Sequence, residues 1–118
     1  MKILIVEPGK HPYEKEIDSG LESLQKTVGG YIEAIYPFED LVALVCDEEA
    51  KLKSDTQWNR ILGTDIIKGT FFLCGIEGEE FSDLPDDLME KYKKFFWEPQ
   101  LFIPTPNGLL PIILRDAP

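Results

Sequence analysis

Every apolar run in this chain is short, because proline, glycine or acids interrupt it. Ile3-Leu4-Ile5-Val6 is cut at once by Glu7-Pro8-Gly9, and residues 41–46 end in Asp47-Glu48-Glu49. Breakers at this density exclude long helices and point to brief, buried strands. No run approaches the length needed to span a bilayer, and residues 1–9 lack the pattern of a secretory leader. The expectation is a cytoplasmic chain with no membrane partner. At 118 residues, 43% of them hydrophobic, one domain with its own core is expected. A chain this size buries roughly two-thirds of its unfolded surface, so it needs no cofactor, metal or disulfide to fold.

The strand-like run at residues 2–6 is followed by a loop through Pro12. Ile17, Leu21, Leu24 and Val28 step by four, three and four, which predicts an amphipathic helix over 14–28, stopped by Gly29-Gly30. Residues 31–38, 41–46 and 66–74 read as strands, the last interrupted at Gly69, while 54–60 reads as a polar loop around Trp58. Ser82 or Asp83 is placed to cap a second helix with Pro85 in its first turn. Leu88, Met89, Tyr92 and Phe95 would supply its apolar face. The order gives an α+β fold: a small mixed or antiparallel sheet, two amphipathic helices and a Pro-rich C-terminal extension.

Twenty-two acids against twelve bases give a formal charge of −10. Such a surface repels nucleic-acid phosphates, so direct DNA or RNA binding is not expected. The acidity reads either as a solubility device or as mimicry of DNA phosphates. Cys46 and Cys74 sit in apolar runs and read as core thiols, with a disulfide open only if their strands are suitably adjacent.

Leu24-Gln25, then Val28-Gly29-Gly30-Tyr31-Ile32-Glu33, Asp47-Glu48-Glu49, Asn59-Arg60 and Ile67-Lys68-Gly69-Thr70-Phe71-Phe72 form an ordered set of short motifs. Together they resemble the DUF3846 domain, a family of unknown function. The resemblance implies a setting in phages and mobile DNA, and it implies no chemistry. Relatives often carry a longer insertion after the Asn-Arg pair and glycine where Ala50 stands. On this reading residues 1–97 form one α+β domain, and 98–118 form an apolar extension.

No catalytic constellation emerges. Gly9-Lys10 lacks the spacing of a phosphate loop. His11, the sole histidine, sits in a loop and reads as exposed, with no nucleophile or orienting acid marked for it. Glu48-Glu49 and Glu79-Glu80 are adjacent pairs, which would point apart on a strand. Two clusters remain. Gly30, Tyr31, Glu33, Asn59 and Arg60 are candidates for a glycine-floored ligand pocket, although the glycines equally read as helix termination and Arg60 as a structural ion pair. Phe102, Ile103, Leu109, Leu110, Ile112 and Ile113 make the extension too apolar to stand free in water, so it either folds back or covers a partner, and a strand added to a neighbour's edge is one form of that. The expected role is a non-enzymatic interaction protein acting on a host protein or on a second copy of itself. The alternative is a small-molecule, nucleotide-like binding domain.

Overall fold

The computed structural model describes residues 1–115; the last three residues of the expected extension lie outside them. The main sheet runs in the order β2 (Tyr13–Glu16), β1 (Lys2–Val6), β7 (Phe71–Glu77), β4 (Val42–Asp47), β3 (Ile32–Ile35), with β8 (Glu80–Ser82) against β7. All its pairings are antiparallel, which resolves the choice between a mixed and an antiparallel sheet. β5 (Trp58–Leu62) with β6 (Asp65–Lys68), and β9 (Gln100–Thr105) with β10 (Gly108–Ile113), form two separate hairpins. The helices are α1 (Leu21–Val28) and α2 (Asp86–Phe95).

Both faces of the main sheet are covered. Leu4, Val6, Val42, Leu44, Phe71 and Leu73 pack under Met89, Tyr92 and Phe96 from the α2 side and under Ile67 of β6. Ile3, Ile5, Ala43, Val45, Phe72 and Cys74 face the other way, under Leu24 and Val28 of α1. Successive side chains of a strand alternate sides. A strand buried on both sides therefore reads as a continuous apolar run, as β1, β4 and β7 do.

The structure corrects several boundaries. Residues 14–28 are not one helix: Tyr13–Glu16 is strand β2, exposed at each position, and α1 begins only at Leu21. Ile17 sits at helical spacing by coincidence. It packs against the α1-side core, and its N–H donates to the Met1 carbonyl (2.9 Å). The Glu-Lys-Glu run of β2 makes a charged sheet edge, which discourages pairing with other chains. The polar stretch at 54–60 is only partly loop, because Trp58, Asn59 and Arg60 begin β5. Residues 66–74 divide between β6 and β7 at Gly69, whose φ of +81° no β-branched residue would adopt. The remaining strands keep their places with slightly different ends. Neither Ser82 nor Asp83 caps α2: Ser82 ends β8, Pro85 takes the cap position, and Asp83 Oδ1 accepts the Lys2 N–H (2.8 Å). Of the expected α2 face, Met89 and Tyr92 are buried, whereas Phe95 points outward and Phe96 takes its place.

Cys46 and Cys74 lie on neighbouring strands but belong to opposite faces of the sheet, and both are free thiols. A bridge between them is excluded.

Candidate functional site

Gly29 closes α1 with its N–H on the Gln25 carbonyl (2.8 Å), and Gly30 follows it toward β3. A Cβ on Gly30 would lie 2.5 Å from Asp47 Oδ1 and 2.7 Å from its Cγ. The glycine is there because the Asp47 carboxylate occupies that space. Asp47 is in turn committed: Oδ2 accepts from Lys53 Nζ (2.6 Å) and Oδ1 from the Glu49 N–H (3.0 Å). Lys53 also donates to the Gly29 carbonyl (3.0 Å), and its pKa is raised chiefly by the bond to Asp47. Tyr31 stands 65% exposed beside this pair. Gly30, Tyr31, Asp47 and Lys53 therefore line a shallow, open depression rather than a closed pocket.

Glu33 lines a different cavity, of about 180 Å³, with Cys46, Lys51 and Asp65. That cavity is acidic and small. Burial pushes the Cys46 thiol up to about 11, with the Glu33 and Asp47 charges adding to it, so it is protonated and unreactive near neutrality. Among the described residues no group of metal-ligating side chains comes together.

Asn59 and Arg60 line neither space. Both are fully buried. Asn59 Nδ2 donates to the carbonyls of Val6 (2.9 Å) and Gly69 (2.8 Å), and its Oδ1 accepts from Arg60 Nη1 (2.9 Å). The remaining Arg60 donors reach the Phe96 carbonyl from Nε and Nη2 (3.2 and 3.1 Å) and the Lys10 carbonyl from Nη2 (2.6 Å). Among the described residues Arg60 forms no ion pair, so the expected partner carboxylate is replaced by backbone carbonyls. Desolvation lowers its pKa to about 10, which leaves it charged at neutral pH. The pair is a buried knot tying β1, β5, the residue-10 loop and the end of α2. It presents nothing to a ligand.

His11 is half-buried rather than exposed. Its ring stacks on Trp97 (centroids 4.0 Å, 12° between planes), and Nδ1 lies 2.6 Å from the Trp97 carbonyl, which makes Nδ1 the donor.

Residues 1–96 match the family described as a domain of unknown function, DUF3846. The chain belongs to that family. No curated protein and no solved structure matches it. The DUF3846 domain thus takes in both helices, β1 to β8 and the Asn59–Arg60 knot, and it ends at the residue whose carbonyl Arg60 holds.

The hairpin of β9 and β10 lies beyond the DUF3846 match. Its register pairs Leu101 with Ile112 and Ile103 with Leu110. These four are 51%, 40%, 45% and 52% exposed in that order and share one face. Phe102 and Leu109 belong to the other face and are half-buried, while Ile113 on that same side is 44% exposed. Leu101 is missing from the apolar set named from the sequence. Counting by two from Ile103 would have found it, but the count means little until the strand register is known. The hairpin meets the DUF3846 domain where Gln100 Oε1 accepts the Ile61 N–H (2.9 Å).

Proposed function

We propose that this chain is a non-enzymatic interaction protein that works by docking onto another protein through its C-terminal hairpin. The carrying observation is the exposed aliphatic face of Leu101, Ile103, Leu110 and Ile112. A contiguous aliphatic face of four residues is a surface that a protein partner can cover. The phage and mobile-element setting implied by the family resemblance suits a protein that acts on host machinery, and the reading adopts it. The small-molecule reading has less support: Arg60 is committed to carbonyls, Lys53 to Asp47, and only Gly30 and Tyr31 remain near an open depression. No helix among the described residues is long and apolar enough to cross a membrane.

Native mass spectrometry of the gently purified chain tests the proposal. A species carrying a second protein chain, lost when Ile103 and Leu110 are made polar, is the expected result. A monomer carrying a retained metabolite of a few hundred daltons would overturn it.

A further inference from the structure

We propose that the occupant of this hairpin face is the same face of a second copy of the chain, packed about a two-fold axis. This rests on the interaction reading above and names its partner.

The first step is to exclude the hairpin's edges. Leu114 N–H donates to the Pro99 carbonyl (2.8 Å), which sets the phase of the ladder. Pairs 101/112, 103/110 and 105/108 are then the hydrogen-bonded ones, and 102/111 and 104/109 are not. In a non-hydrogen-bonded pair the N–H groups point away from the partner strand. Pro104 and Pro111 both fall in such pairs, so neither proline weakens the hairpin, and each removes a donor from one free edge. An extended peptide adding to either edge meets that gap. The flat face is what remains.

The face itself suits a copy of itself. Leucine occupies one diagonal (101 and 110) and isoleucine the other (103 and 112), so a two-fold axis lying in the plane of the face, along or across the strands, sets each leucine of one copy over an isoleucine of the other. A two-fold interface needs a self-complementary patch of this kind. Charge points the same way. Residues 99–114 contain no charged side chain in a chain of net charge −10. A basic partner would be drawn to the acidic domain, whereas two copies meeting at their hairpins bring no like charges into contact. Four half-exposed aliphatic side chains amount to a patch on the order of 300 Å². A standard interface takes about 800 Å² from each partner, so the dimer is weak and forms only at high concentration.

Sedimentation velocity on the full chain, from about 10 µM to about 1 mM, reads this directly. The wild type is expected to shift from monomer toward dimer over that range. Raising the salt to about 1 M shortens the screening length to about 3 Å and strengthens the dimer, because repulsion between the acidic domains is relieved. Ile103→Lys with Leu110→Glu keeps a favourable cross-strand pair and should stay monomeric throughout. Ile103→Thr with Leu110→Thr, conservative for a strand, should do the same, with circular dichroism confirming the fold of both. A wild type that stays monomeric at the top concentration overturns the proposal, and if it then holds a different protein through residues 103 and 110, the interaction reading survives without the second copy. A dimer that persists in both variants, or that weakens with salt, also overturns it, since the contact would then lie elsewhere.

Discussion

Asn59 and Arg60 are costly to disturb, because most of their donors serve main-chain carbonyls inside the fold. Asn59→Ala removes the side-chain donor from the Val6 and Gly69 carbonyls and leaves Arg60 Nη1 with only the Asn59 main-chain carbonyl (3.4 Å). The expected loss is about 2–4 kcal/mol, read by urea unfolding with tryptophan fluorescence. Arg60→Lys should also destabilise, by about 1–3 kcal/mol in the same assay, since one ammonium cannot span the carbonyls of Phe96 and Lys10 as a planar fork does. A different residue contributes to acid behaviour. Asp40 Oδ2 accepts from Lys91 Nζ (2.6 Å) and Tyr92 Oη (2.7 Å), and these bonds hold its carboxyl below the ordinary 3.8. A lowered carboxyl pKa contributes stability above the unfolded value and loses it as pH falls through the folded one. Asp40→Asn should therefore flatten the part of the acid-unfolding curve lying below about pH 3.8 and leave its neutral part parallel to wild type. None of these roles was legible from residue type. A polar Asn-Arg pair beside Trp58 reads as loop, because composition does not tell whether carbonyls will be waiting for it.

At the scale of elements, the sequence was most legible where burial is complete. β1, β4 and β7 stand out as apolar runs because both sheet faces are covered. The Gly29 stop of α1 was equally plain. The failures share a cause: short elements whose pattern serves two periods. Ile17 and Leu21 fit a helix, yet the charged β2 precedes α1, and Ser19-Gly20 breaks the chain between Ile17 and Leu21. The C-terminal hairpin shows the reverse case, in which prolines that argue against a central strand are tolerated because their missing donors face outward. Pro104→Val with Pro111→Val restores those donors on both edges. The doubly substituted chain should keep its hairpin and form thioflavin-positive assemblies at concentrations where wild type stays clear.

Across the whole molecule, the hairpin is an appendage. Among the described residues it pairs with no strand of the main sheet, and it reaches the domain through Gln100 and the buried Pro99. A chain ending at residue 97 keeps Phe96 for Arg60, so it should still unfold in a single cooperative transition, with a midpoint close to wild type in a circular-dichroism melt. The sheet behaves differently, because its middle strand is supplied late. β7 lies between β1 and β4, and pairings this distant in sequence form slowly. On a ribosome, β1 emerges with β2 and β4 with β3, but nothing yet fills the place between the two pairs. Their facing edges stay unpaired until residue 77 has cleared the exit tunnel, and one apolar face stays bare until Phe96 has followed it; for that interval the nascent chain is a substrate for chaperones or for its neighbours on the same message.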